Sequence, residues 1–210
     1  MATRRYVSSV RTAAAAAKRD RVIGAAARLL RESSIASFSL DAVAKAAGVT
    51  RLTVYHQFGS RRGLLEAIFD QIAERGGLVQ IPEAMAMLDS RAALDRLVEI
   101  FCAFWSSDPA VGRLHEAMAT DPEFAQALIE RNERRRKTAD VLVGRIAGKA
   151  ASARARQAAV DMIFALTSFS MFAMLSRDRS AGEVCKLIKS ACRGALDALS
   201  PDGRSVARRR

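Results

Sequence analysis

A chain of 210 residues with 50% hydrophobic and 27% charged side chains is long enough for a sizeable buried core, and no stretch approaches the roughly 18 apolar residues of a membrane span. The first 30 residues turn charged at Lys18 after an alanine run and show no secretory core, so a cytoplasmic protein is expected; Cys102, Cys185 and Cys192 have neither metal-ligand spacing nor an even count, which argues against disulfides and structural zinc. The net charge of +12 is uneven: residues 1–62 carry 12 Lys and Arg against 3 Asp and Glu, residues 63–203 carry 18 against 19, and 204–210 add four arginines. A basic first third on a near-neutral body points to a polyanion, nucleic acid or an anionic membrane surface, with a merely solvated face as the plain alternative.

Residues 1–15, with Arg4, Arg5 and Arg11, read as a flexible basic arm. The first patterned helix covers 18–32, with Val22, Ile23, Ala26, Leu29 and Leu30 on one apolar stripe. A second starts after Ser39, whose hydroxyl caps it, turns Leu40, Val43, Ala44 and Ala47 inward, and ends at Gly48. Thr50 caps a third helix reaching about Phe58, Ser60 caps a fourth reaching about Glu74, and Gly76 and Gly77 close this segment. Beyond Pro82, helices are predicted over 91–105, 111–118, 122–148, 153–175 and 181–199. Ala159, Met162, Ile163, Leu166, Phe169 and Ala173 form one stripe, and Val184, Ile188, Ala191, Cys192, Ala195 and Leu199 another, faces suited to the body or to a second subunit. Glu130 and Glu133 stand four before Arg134 and Lys137, so the run 134–137 reads as a solvated helix face. Residues 201–210 read as a flexible basic tail, and no window alternates long enough to form a strand.

The segment from Ser39 to Phe58 carries the chemistry. Two short helices, with Ala44 small at their crossing and Gly48 suited to a left-handed turn, have helix-turn-helix spacing. Val49, Val54 and Phe58 fit the inner side of the second of them, leaving Arg51, Leu52, Thr53, Tyr55 and His56 to project. A cation, hydroxyls, an imidazole and a phenol on one face suit base edges and phosphates, where a plain αα-corner would need none of them.

With the Ala47-Gly-Val-Thr50 turn, Thr53-Val-Tyr-His-Gln-Phe58 and the following Gly59-Ser-Arg-Arg-Gly-Leu-Leu-Glu66, the first 77 residues resemble the DNA-binding domain of the TetR family of transcriptional regulators. The resemblance implies an all-α fold of about nine helices: a helix-turn-helix domain over 16–77, and a helical ligand-binding and dimerisation domain over 78–200 that pairs through its last two helices. It places Arg51, Leu52 and Thr53 where a recognition helix enters the major groove, Ser39 and Thr50 at helix caps that meet phosphate, and Tyr55, His56 and Gln57 along the backbone. Arg61 stands where the family usually has a lysine and, with the N-terminal dipole of its helix, would hold a phosphate; Arg62 and Gln57 depart from the family's usual residues. Arg51 either grips guanine bidentately or makes a plain phosphate contact.

In the body, Phe101, Phe104, Trp105, His115, Met118, Met162 and Phe169 are candidates either for core or for a largely apolar pocket that takes a lipophilic or aromatic effector, with His115, Thr167 and Asp161 as orienting polar groups. No nucleophile elbow, phosphate loop or His-Glu-x-x-His pattern occurs, so neither an enzyme nor a cofactor is expected. Cys185 and Cys192, seven apart on one helical face, read as buried small hydrophobes rather than a redox pair. The expectation is a homodimeric, ligand-responsive repressor on a palindromic operator; the alternative is an architectural protein that coats DNA without sequence choice.

Overall fold

The computed structural model describes residues 3–148 and 151–198, with side chains from residue 13 onward. Among these the regular structure is entirely helical, as predicted: eleven α-helices and two single-turn 3-10 helices. One compact unit comprises the residues up to Ile72 together with Pro109–Ala127; the other comprises Ala73–Asp108 and the residues from Leu128 onward. The first unit therefore takes in residues 109–127, which the sequence-based division assigns to the 78–200 segment.

The first unit contains α1 (Thr3–Glu32), a 3-10 turn (Ile35–Ser37), α2 (Leu40–Ala47), α3 (Arg51–Phe58), most of α4 (Arg61–Arg75), α7 (Ala110–Ala117) and the first residues of α8 (Pro122–Ala147). Helix α1 starts at Thr3, well before the predicted residue 18 and within the segment read as an arm. The run Ala13–Ala17 has no amphipathic pattern, but alanine has the highest helix propensity and carries the helix without one. The side chains of Arg4, Arg5 and Arg11 lie outside the described residues. Val22, Ile23, Ala26 and Leu30 are buried as expected, and so are Ala25 and Ala27. The wider buried face arises because α1 packs against both α2 and α7.

The predicted caps form. Ser39 Oγ accepts from the Ala42 N–H at 3.1 Å, and Thr50 Oγ1 from the Thr53 N–H at 3.1 Å. Gly48 ends α2 at φ 64°, with the Val49 N–H bonded to the Ala44 carbonyl at 3.0 Å, the closure that a left-handed residue permits. Ser60 Oγ accepts from the Gly63 N–H at 3.0 Å at the start of α4. A Cβ on Gly63 would stand 2.1 Å from the Phe58 carbonyl oxygen, so only glycine lets α3 and α4 meet this tightly.

The second unit holds a 3-10 turn (Leu78–Gln80), α5 (Ile81–Ala86), α6 (Ser90–Ser107), the remainder of α8, α9 (Ala153–Leu166), α10 (Phe169–Leu175) and α11 (Ala181–Asp197). The count exceeds the expected nine for two reasons. Ile81–Ala86 forms a short helix around Pro82, and the predicted helix over 153–175 breaks at Thr167 and Ser168. There Thr167 Oγ1 donates back to the Ile163 carbonyl at 2.8 Å, while Ser168 Oγ accepts from the Met171 N–H at 3.2 Å and caps a new helix. Two hydroxyls in sequence thus end one helix and begin the next.

Helices α6 and α11 pack together through Val98, Cys102, Val184, Ile188 and Cys192, all buried. Along their flank Arg91 bonds Asp197 at 3.1 Å, Asp95 pairs with Arg193, and Glu99 pairs with Lys189. Positions climb one helical turn at a time in α6 while falling one turn at a time in α11, which fixes an antiparallel register. The Lys189 ammonium and, more weakly, Arg96 hold the Glu99 carboxyl below its ordinary value against its desolvation. The Arg91–Asp197 pair is exposed, while Asp95 and Lys189 are each 21% exposed; pairs this open to solvent contribute a few tenths of a kcal/mol to about 1 kcal/mol, so the set specifies register more than it stabilises. No single helix among the described residues is long and apolar enough to cross a membrane. The pair α9 and α10 passes that test together, but it bends by 56° and buries Val160, Ile163 and Phe172 in its own bundle.

Replacement of Gly63 by alanine is expected to lower stability by about 1–3 kcal/mol through the clash with the Phe58 carbonyl. Gly24→Ala, in the same unit with open space around its Cβ, is expected to raise stability by about 0.5–1 kcal/mol. Urea unfolding of the two variants checks both signs.

Candidate nucleic-acid interface

Helix α3 presents the predicted outer face. Leu52 and Tyr55 are 61% and 54% exposed, Arg51 and His56 are exposed, and Thr53 is half-buried, while Val54 and Phe58 are buried beneath them. The Arg51 guanidinium lies 3.5 Å from the Asp41 carboxylate, with both side chains more than two-thirds exposed, so the pair is weak and Arg51 remains free to swing to another partner. Thr53 Oγ1 shares a 2.9 Å hydrogen bond with Thr50 Oγ1, and the Tyr55 and His56 rings meet edge to face. Ser39 is half-buried and Thr50 exposed, both at caps.

Two predicted contacts are placed differently. Gln57 turns inward, with its Oε1 buried and unpartnered, and its backbone carbonyl accepts a 2.8 Å bond from Arg19. Arg61 does not point outward to a phosphate: Nε donates to the Phe38 carbonyl at 3.2 Å, Nη2 to the Ile35 carbonyl at 3.4 Å, and Nη1 to Asp121 at 3.0 Å. Its role is to join α4, the 3-10 turn and the segment before α8 into one unit. Sequence reasoning had no access to this partner, since Asp121 lies 60 residues away. Arg62 pairs with Glu66 at 2.6 Å. It lines a polar groove of about 450 Å³ beside the α4 N-terminus, where Arg19 and Arg62 stand among Glu66, Asp70 and Glu123, a mixture that offers a phosphate little bare positive charge.

Arg19 was not singled out by sequence. Its guanidinium sits 4.3 Å from the centre of the Phe58 ring and caps the C-terminal end of α3 through the Gln57 carbonyl, where the helix dipole favours a cation. Lys45, exposed on α2, and Arg51 are the cations of the helix-turn-helix that face solvent.

In the second unit the structure gathers four of the predicted pocket residues. Phe104 and Trp105 lie 4.6 Å apart by ring centres, Phe101 stacks on Trp105 at 6.4 Å, and Phe169 meets Trp105 edge to face at 5.7 Å. The Trp105 indole N–H donates to the Thr167 carbonyl at 3.0 Å. Met162 is not among them: it is 52% exposed in an apolar groove between α9 and α11. His115 and Met118 belong to the first unit, and His115 Nδ1 stands 3.0 Å from the Val111 carbonyl of its own helix. Asp161 is exposed and paired with Arg136.

Arg135 is the residue the sequence reading missed. It lies in the run 134–137 taken for a solvated face, yet it is only 8% exposed. It stands seven after buried Leu128, four before Ala139 and seven before Leu142, so the helical period alone marked it as inward. Burial, reinforced by neighbouring Arg136, pushes its pKa down to about 10. Cys102 and Cys192 behave as small hydrophobes, whereas Cys185, expected to be buried, is only half-buried: burial raises the Cys102 thiol, with Cys185 adding to the effect, and raises Cys192 to about 12, so both stay protonated. Among the described residues no group of His, Cys, Asp or Glu is arranged to hold a metal ion.

A buried-core helix pair joined by a left-handed glycine, with the outer face of its second helix exposed, in a chain whose described regular structure is all helical, defines a helix-turn-helix DNA-binding protein. The profile of bacterial regulatory proteins of the tetR family matches residues 22–68, and that of tetracyclin repressor-like C-terminal domains matches residues 88–199. The chain belongs to the TetR family of transcriptional regulators, a family of DNA-binding proteins rather than enzymes. It is 34% identical over 108 residues to the HTH-type transcriptional regulator EthR of Mycolicibacterium smegmatis, covering 50% of this chain and 49% of that one; the chain thus spans about half the length of this curated relative. Its fold is similar to that of the TetR-family regulator SCO4454 of Streptomyces coelicolor, with a TM-score of 0.69, 23% identity and coverage of 90% and 95%. It is also similar to the fatty acid degradation regulator FadR of Bacillus halodurans, with a TM-score of 0.67, 21% identity and coverage of 85% and 94%.

Since Arg61 and Asp121 are 28% and 15% exposed, replacing either with alanine is expected to cost about 1–3 kcal/mol. The double variant should cost little more than the worse single one, a non-additivity that a thermal-unfolding double-mutant cycle reads directly.

Proposed function

We propose that the protein is a cytoplasmic, ligand-responsive repressor that binds a palindromic operator as a homodimer. The observation that carries the reading is the outer face of α3, where Arg51, Leu52, Tyr55 and His56 are exposed around a buried Val54 and Phe58. Arg51, Leu52 and Thr53 at the start of the helix read base edges, Ser39 and Thr50 meet phosphate at the helix caps, and Tyr55 and His56 follow the backbone. Gln57 and Arg61 are left out of this set because the Gln57 side chain turns inward and the Arg61 side chain is bonded inside the unit. DNA reading belongs to residues 16–77, effector binding and dimerisation to 78–200.

Dimerisation uses the apolar groove of about 380 Å³ lined by Ala155, Ala158, Met162, Leu166, Ala191 and Ala195 on α9 and α11. Small residues there let a second copy of the helices approach closely, and half-exposed Met162 supplies the apolar surface that association buries. Two recognition helices about 34–36 Å apart then enter successive major grooves. The effector enters among the aromatic side chains of Phe101, Phe104, Trp105 and Phe169, and releases DNA only by as much as it binds one state of the dimer better than the other.

Selection of bound duplexes from a random library at near-physiological salt, followed by sequencing, tests the reading: one enriched palindrome is expected, and retention without enrichment would replace it with non-specific coating. On the enriched site Arg51→Ala should cost about 1–3 kcal/mol while leaving unrelated DNA nearly unaffected, as fluorescence anisotropy will report. Met162→Glu should shift the sedimentation equilibrium to monomer and weaken operator binding with it.

A further inference from the structure

Among the described residues the charge of Arg135 has no carboxylate partner. Its Nη1 donates to the Phe164 carbonyl at 2.5 Å and to Thr167 Oγ1 at 2.6 Å, both at the break between α9 and α10. Those bonds account for one nitrogen: the break frees the Phe164 carbonyl, because the Ser168 N–H bonds Ala165 instead, and a cation suits the C-terminal end of α9. They also hold the guanidinium from behind. Among the described residues Nε is buried and donates to nothing, and the hydrogen bonds of the guanidinium use Nη1, none of them Nη2. The edge formed by Nε and Nη2 is the side-on fork that matches the two oxygens of a carboxylate.

The surroundings are aromatic. The guanidinium carbon lies 4.1 Å from the centre of the Phe164 ring and 5.9 Å from that of Phe101. Phe164 has Arg136 at 4.1 Å as well, but Arg136 is neutralised by Asp161 and Glu133. Arg135 alone is left with like charge beside it and only the through-space attraction of Glu133. A buried cation in this state is unfavourable unless something completes it. Water would satisfy the N–H groups but not the charge; a carboxylate satisfies both.

We propose that Arg135 is the receptor for the carboxylate of an amphiphilic effector, its free Nε and Nη2 edge taking the two oxygens while the surrounding Phe101 and Phe164 rings take the apolar part. This deepens the effector reading above and rests on it. The ligand class is an aryl- or alkyl-carboxylate, narrower than any lipophilic molecule. Thr167 and the Phe164 carbonyl position the guanidinium and need not touch the ligand.

The test uses the full-length protein and two matched pairs of probes, 1-naphthylacetate with 1-naphthylacetamide, and decanoate with 1-decanol. Each is followed by the shift in thermal midpoint over a concentration series and by release of the duplex recovered from library selection. On the native protein each acid is expected to bind about tenfold or more tightly than its neutral partner, the discrimination of a charge-assisted hydrogen bond. Arg135→Gln should bring the two within about twofold, and Arg135→Lys should restore part of the preference. Neutral partners binding as tightly as the acids would overturn the proposal while leaving the effector reading intact. An acid preference that survives in Arg135→Gln would place the receptor elsewhere and overturn it too. If neither class binds up to millimolar concentration, the effector reading itself falls, and the proposal with it. Where the glutamine variant fails to fold, equal binding of acid and neutral partner by the native protein still overturns the proposal, and the lysine variant carries the assignment to Arg135.

Discussion

A helix of eight residues with half of its circumference open to solvent does not persist by itself, because nucleation costs more than so few backbone bonds return. The recognition helix α3 is such a helix, and everything around it is arranged to hold it without touching its outer face. Its N-terminus is held by Thr50, its C-terminus by Arg19 on the Gln57 carbonyl, and its inner side by Val54 and Phe58. Gly63 lets α4 begin against the Phe58 carbonyl. The stabilising contacts come from the ends and from beneath, which is what leaves Leu52 and Tyr55 more than half exposed.

The same demand redistributes the positive charge. The basic first third looks like a supply of phosphate contacts, yet Arg19, Arg61 and Arg62 are engaged with protein carbonyls and carboxylates. Net charge still raises the local potential that draws DNA in, but the cations left for direct contact on the helix-turn-helix reduce to Arg51 and Lys45. The proposed recognition therefore leans on a small set of groups at the start of α3.

How much of this was legible depended on the range of each interaction. Caps and turns act within four residues, so Ser39, Gly48, Thr50 and Ser60 stood in plain view, and the periodic stripes gave the helices and most of the core. The Arg61 to Asp121 bond, the second buried face of α1 against α7 and the ion-pair ladder between α6 and α11 join residues 60 or more apart, and nothing in a local window encodes them. The break of α9 at Thr167 was hidden by an apolar run that continued across it. In α11 the single predicted stripe parts into two: Val184, Ile188 and Cys192 turn to the core, joined by Leu196, which the stripe did not include, while Ala191 and Ala195 line the outer groove and Leu199 lies outside the described residues. Arg135 is a different kind of miss, since the period that exposes it is local, but a run of four basic residues masks one member that points the other way.

Arg61 and Arg135 show how burial and bookkeeping of donors separate a structural arginine from a functional one. Both reach the carbonyls of a turn, Arg61 from a partly exposed position and Arg135 from a buried one. In Arg61 all three nitrogens are bonded and the charge meets Asp121, so removing either partner is costly and nothing further is invited. In Arg135 the structural bonds use Nη1 only and, among the described residues, no carboxylate answers the charge, so the packed core retains an electrostatic penalty. A ligand that cancels such a penalty gains more from this site than its apolar contacts alone would supply. By linkage, whichever arrangement of the dimer admits that ligand is favoured by the same free energy. A buried, half-satisfied cation is thus a place where a small acid can exert a large effect on a binding equilibrium elsewhere in the molecule, which an equally apolar but neutral pocket would do less well.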